Sequence, residues 1–257
     1  MNMDEWEEDI AEPAPDPSNE VGSERWKKTA YEAILRDITS EFENTRFNAV
    51  SLIEHFEGDP RLQPLLAGLL SSDQEHLLVT ALMGIGEWRH SEGAGMVIDF
   101  LTDANRREKI TEQVEEEAIL SLGHVGGSES LDFLGNYAVQ RFKDHEEEED
   151  SRGMAAVEGI AQIAMRGDAS AVRFLIDKAG HAAWNMRETC ADALGMVFRG
   201  KEAIPKLVYD TLITLTKDPN RDVQIAAYLS LDDIVGLDEV NKKILKEARH
   251  KQIFGNS

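Results

Sequence analysis

Apolar residues recur along this chain at helical rather than strand spacing. From about residue 44 onward a small residue is followed four positions later by a large aliphatic one, and three positions further on by another apolar residue. The clearest copies are Ala118, Leu122, Val125 and Cys190, Leu194, Val197; the same frame reads Leu78, Leu82, Ile85, then Ala156, Ile160, Ile163 and Ala227, Leu231, Ile234, with Ala49, Ile53, Phe56 as a weaker copy. Residues at such intervals share one face of a helix. The central aliphatic residues Ile53, Leu82, Leu122, Ile160, Leu194 and Leu231 are separated by 29, 40, 38, 34 and 37 positions. That interval holds one helix pair, and self-similarity at such a period is the mark of a repeat architecture.

A second amphipathic segment precedes each of these helices: Ala30 to Phe42, Leu62 to Leu70, Gly95 to Leu101, Leu131 to Val139, Ala171 to Ala179 and Ala203 to Thr216. Breakers separate the segments at Gly58-Asp59-Pro60, Gly126-Gly127-Ser128, Gly167-Asp168 and Asp218-Pro219-Asn220. Asp73, Asn185 and Asn220 are the expected N-caps of the second helices, each offering a short oxygen-bearing side chain to an unpaired N–H. The small residues Ala49, Ala118, Ala156, Cys190 and Ala227 let a partner helix approach closely. The predicted fold is all-α: an α-solenoid of about six stacked antiparallel helix pairs spanning residues 25–257, because a single pair cannot bury both of its faces.

The stretches Asn185-Met-Arg187-Glu-Thr-Cys-Ala191-Asp-Ala-Leu194-Gly195 and Asp218-Pro219-Asn-Arg-Asp-Val223-Gln-Ile-Ala226-Ala227-Tyr-Leu229 resemble the second helix of HEAT-like repeats. In that family a D-P turn, a Val-Arg pair, two alanines and a Leu-Gly recur. The resemblance covers about residues 27–252 and implies a superhelix, not a particular activity. Two repeats depart from the pattern, with Glu75-His76 and Arg152-Gly153 in place of Val-Arg.

Charge changes the picture at the ends of the chain. The net charge is −22, from 49 acidic and 27 basic side chains. A field of that sign repels nucleic acid unless a basic groove opposes it, and no such groove is legible. Nine of the acids, and no lysine or arginine, precede Arg25, interrupted by Pro13, Pro15 and Pro17; residues 1–24 read as an acidic disordered tail. Within it Trp6 and Ile10 are apolar residues embedded in acid, as in segments that order on binding. Near the other end Lys242, Lys243, Lys246, Arg249 and Lys251 gather, either to complement a helix C-terminus or to receive the acidic tail. No run of about 18 apolar residues suggests a membrane span, and no apolar core of a secretory signal follows Met1 to Asp9, so a cytoplasmic protein is expected.

Three branches of the HEAT-like family are enzymes, and each requires particular residues. Deoxyhypusine hydroxylases hold two irons on His-Glu dipeptides of facing helices; here the sole such dipeptide, His145-Glu146, lies in an acidic run. Alkylpurine glycosylases need a basic groove, whereas the second helices contribute Glu117, Glu158, Asp192 and Asp233. Bilin lyases, or a lyase-related chaperone subunit, form the alternative reading, although no chromophore-handling cysteine supports it. Cys190, the one cysteine, sits in the apolar pattern. The histidines show no paired ligand spacing, and the glycines at 123–127 end a helix rather than cradle phosphate. No catalytic residue, metal or cofactor is expected.

The expected function is that of a non-enzymatic scaffold or adaptor. In a solenoid the second helices line the concave face. Counting from the small residue of each, positions two and six place Leu120 and His124, Glu158 and Gln162, Asp192 and Met196, and Leu229 and Asp233 along that face. Its mixture of acids and apolar groups suits a partner segment that carries lysine or arginine beside apolar anchors, with a solvated helix face as the plainer alternative. Trp88 and Trp184 are candidate interface anchors or packing residues.

Overall fold

The computed structural model describes residues 22–104, 109–145 and 150–235. The described residues form twelve α-helices and one short 3-10 helix, with no strand among them. The chain divides into two compact units, Met1–Glu57 and Gly58–Ser257, the boundary falling within the stretch that the repeat pattern reads as continuous.

The first unit contains α1 (Glu24–Asp37), α2 (Glu43–Ile53) and the 3-10 turn Glu54–Phe56. Ser23 caps α1, its hydroxyl accepting from the Trp26 N–H at 3.1 Å. Trp26, Ala30 and Ile34 recur at i, i+4 and i+8 and are buried. The helix ends at Asp37 rather than running to Phe42, because Thr39 and Ser40 favour a turn: the Ser40 hydroxyl accepts from the Phe42 N–H at 3.2 Å. The buried Arg46 secures that turn by donating to the carbonyls of Ser40 and Glu41.

The second unit contains α3 (Leu62–Leu70), α4 (Glu75–Trp88), α5 (Ser91–Thr102), α6 (Glu112–Val125), α7 (Gly127–Asp144), α8 (Ser151–Met165), α9 (Ala169–Lys178), α10 (Trp184–Phe198), α11 (Lys206–Leu215) and α12 (Arg221–Val235). Each even-numbered helix from α4 to α12 packs on the helix before it, and α4, α6, α8, α10 and α12 also pack on one another in succession. The apolar frame forms the interior of this succession: Leu82, Leu122, Ile160 and Leu194 are fully buried and Leu231 is 2% exposed.

Chain turns follow local chemistry, with two departures from expectation. Gly126 and Gly127, at φ 76° and 84°, carry the chain from α6 straight into α7, a backbone path that a side chain would resist. Asp168 caps α9 by accepting from the Ser170 and Ala171 N–H groups, and Asn220 caps α12 by accepting from those of Asp222 and Val223. Asn185, by contrast, lies inside α10; buried to 2% exposure, it donates to the His145 carbonyl at 2.8 Å and so ties α10 to the end of α7. Asp73 is also not a cap, since α4 begins after Gln74. Trp88 is fully buried, donates to the Asp59 carbonyl at 2.9 Å and stacks on His90, which removes it as an interface anchor, while Trp184 is half-buried.

Polar links join successive members of the row near their N-terminal ends. Thr111, the cap of α6, donates to Glu75 of α4 at 2.9 Å. From α8, Ser151 donates to Glu112 and Arg152 to Glu115 of α6. Arg187 of α10 makes a two-pronged pair with Asp218, at 2.7 and 2.8 Å, just before α12. Near the C-terminal ends the contacts are steric. A methyl group built on Gly123 would overlap the backbone of Gly159, and one built on Gly195 would overlap Ser230. Thus α6 meets α8, and α10 meets α12, at a separation that glycine permits and alanine does not.

Gly123→Ala is accordingly expected to destabilise the protein by roughly 1–3 kcal/mol through overpacking. Gly68→Ala, at an exposed helical site with open space around it, is expected to be neutral or to stabilise by about 0.4–1 kcal/mol. Urea denaturation of the two variants checks this, and equal effects would contradict the close crossing.

Candidate functional site

The row α6, α8, α10, α12 carries two open cavities that adjoin along α8. The first, about 710 Å³, is bounded by Glu112, Glu116 and Leu120 of α6, by Arg141 and His145 at the end of α7, and by Asp150, Ser151, Arg152, Met154, Ala155 and Glu158 of the α8 start. The second, about 500 Å³, is bounded by Met154 and Glu158 of α8, by Thr189, Asp192, Ala193, Met196 and Arg199 of α10, and by Leu229, Ser230 and Asp233 of α12. Met154 and Glu158 belong to both, so the two cavities form one groove. Its floor is apolar and adaptable, with Leu120, Met154, Met196 and Leu229, and Met154 is 44% exposed.

The groove's cations are already engaged. Arg141 pairs in two-pronged fashion with Asp150, whose other role is to cap α8 by accepting from the Gly153 N–H at 3.0 Å. Burial pushes the Asp150 carboxyl upward, but the Arg141 hydrogen bond and charge, with the Gly153 N–H, outweigh it and hold the group below the usual carboxylate range. Arg152 donates to Glu115 at 2.9 Å, and the same carboxylate accepts from the Tyr137 hydroxyl at 2.7 Å. Arg199 pairs with Asp233.

Three acids are left over. Glu116, Glu158 and Asp192 line the groove and make no hydrogen bond or ion pair with the described residues. Solvent reaches Asp192, yet protein crowds its groove side, and this desolvation lifts its carboxyl to about 6. An acid in that state is a site that gains from a cation. Glu117, on the same helix as Glu116, is also raised by burial.

The structure brings together Leu120, Glu158, Asp192, Met196, Leu229 and Asp233 as groove lining. His124 and Gln162 lie outside both cavities. His124 is half-buried one turn beyond Leu120, where a methyl group on Gly86 of α4 would come within 3.2 Å of it, and burial lowers its pKa. Trp6, Ile10 and the cationic cluster from Lys242 to Lys251 lie outside the described residues. Sequence reasoning missed Glu116 and Met154. Both stand two positions before the small residue of their helix, one turn from Leu120 and Glu158, so extending the face a turn toward the N-terminus finds them. Arg199, Arg141 and Asp150 carry no such periodic signal.

Among the described residues no helix is long and apolar enough to cross a membrane, and no group of three or more His, Cys, Asp or Glu is placed to hold a metal ion. Burial raises the Cys190 thiol far above its usual range.

The raised Asp192 carboxyl has a stability consequence with a defined sign. Its ionisation costs the folded state more than the unfolded one, a penalty fully present above about pH 6 that disappears as pH falls toward the ordinary carboxylate value near 3.8. Asp192→Asn is therefore expected to raise the melting temperature at about pH 7.5 and to have little effect near pH 4; a thermal series across that range checks it. No protein-family model matches this chain, and no curated protein matches it by sequence.

Proposed function

We propose that this protein is a HEAT-like α-solenoid that acts as a non-enzymatic interaction module, taking a partner segment rich in lysine or arginine and apolar residues into the groove across α6, α8, α10 and α12. The solenoid reading is supported by the repeat spacing of the sequence together with the successive packing of the even-numbered helices. The groove is then the concave face, the extended surface such folds offer to partners. The binding reading is carried by one observation: three carboxylates that pair with none of the described residues, Glu116, Glu158 and Asp192, border an apolar floor whose other charges are internally matched. Apolar anchors fill the floor while cations satisfy the acids, which gives both affinity and a charge-based choice of partner. The exposed methionine on the floor lets the surface repack around different anchors.

The test uses a fluorescent peptide of two Lys-Leu-Ala-Lys-Leu-Ala-Lys repeats as a stand-in for the partner segment. The double reversal Glu158→Lys with Asp192→Lys is expected to weaken its binding by at least about tenfold, or ~1.4 kcal/mol. Reversing the exposed acids Glu129 and Asp132 of α7, outside the groove, changes the net charge equally and is expected to leave affinity within about twofold. Equal losses in both variants would reduce the interaction to bulk charge and refute the groove.

A further inference from the structure

The second cavity contains four ionisable side chains: Asp192 and Arg199 from α10, Glu158 from α8 and Asp233 from α12. Arg199 and Asp233 neutralise each other. The cavity's hydroxyls are committed as well, Thr189 donating to the Asn185 carbonyl at 2.8 Å and Ser230 to the Ala191 carbonyl at 2.9 Å. Asp192 and Glu158 are thus the cavity's acids that make no hydrogen bond or ion pair with the described residues. Around them Met154, Met196 and Leu229 supply apolar surface of the kind along which the methylene stem of a long cationic side chain lies while its head reaches a carboxylate.

We infer that this cavity is a receptor for a single lysine or arginine side chain of the partner segment, anchored on Asp192, and that capture of the cation expels a proton from that carboxyl, so the groove holds cationic segments at neutral pH and releases them in mild acid. The inference rests on the groove reading above and adds its chemistry and its control. Proton and charge balance directly: the protonated carboxyl loses its proton to solvent, and the carboxylate formed receives the ammonium or guanidinium head. Although solvent reaches Asp192, crowding of its groove side by protein raises the carboxyl to about 6, and no charge among the described residues of the cavity offsets that rise. Glu158, shared with the first cavity, adds a second carboxylate beside the same apolar surface.

Calorimetric titration of the full chain with the same lysine-leucine-alanine peptide, from about pH 7.5 to pH 5 and in buffers of different ionisation enthalpy, tests the linkage. Acetylated at its N-terminus and amidated at its C-terminus, the peptide has no group that titrates in this range. For a carboxyl at about 6, affinity is expected to fall about tenfold between the two ends of the series, with proton release on binding near pH 6. Asp192→Asn is expected to bind several-fold more weakly at pH 7.5 and to lose the pH dependence. Glu158→Gln is expected to bind more weakly while keeping it. A flat wild-type profile, or a slope that survives in Asp192→Asn, overturns the inference and leaves the groove reading intact. Absence of peptide binding to the wild type at pH 7.5 overturns both.

Discussion

The crossing of α6 over α8, with Gly123 set against the backbone of Gly159, is the contact on which the rest of the second unit depends. It fixes how near the two helices lie, and α10 and α12 repeat the arrangement through Gly195 and Ser230. Close approach at these points buries Leu122, Ile160, Leu194 and Leu231 on one side of the row. The same approach keeps Leu120, Glu158, Asp192 and Leu229 side by side on the groove. Polar links at the opposite ends of the helices, from Ser151 and Arg152 to Glu112 and Glu115 and from Arg187 to Asp218, set the second point of contact that each pair needs for a defined angle.

Electrostatics follow from that geometry. With 49 acids and 27 bases, the chain has too few cations to match its carboxylates, and where it spends them is informative. Arg141, Arg152 and Arg187 are used to join one segment to the next, through Asp150, Glu115 and Asp218. The acids bordering the groove, Glu116, Glu158 and Asp192, go without among the described residues. Asp192 carries a cost for this, since protein crowds the groove side of its carboxyl and no partner among the described residues offsets it; under the proposed function a bound cation would relieve that cost.

Much of the fold was legible because burial is periodic. The frame that places Ala118, Leu122 and Val125 on one face also located α8, α10 and α12, and the Leu62–Leu70 segment was read to its ends. Helix boundaries were less legible where polar side chains compete for the backbone, as at Thr39 and Ser40, or where an amide serves a distant carbonyl, as Asn185 does with that of His145. The sequence assigns close approach to the alanines of the frame; the tightest contacts belong instead to Gly123, Gly159 and Gly195, whose importance depends on what faces them across the helix pair. Within the groove, residues on the repeating face were readable and those placed by ion pairs were not. Arg199 enters through Asp233 and Arg141 through Asp150, partners that no periodicity reveals.

The central claim is that the groove shared by Met154 and Glu158 is where a cationic, apolar segment sits. Methionine methyl resonances of the full chain report on this directly, because Met154 and Met196 lie in the groove whereas Met96 and Met165 line other clefts. On adding the lysine-leucine-alanine peptide at neutral pH, the account predicts that the Met154 and Met196 methyls shift while those of Met96 and Met165 stay in place. Movement of Met96 or Met165 with Met154 and Met196 unperturbed would contradict it.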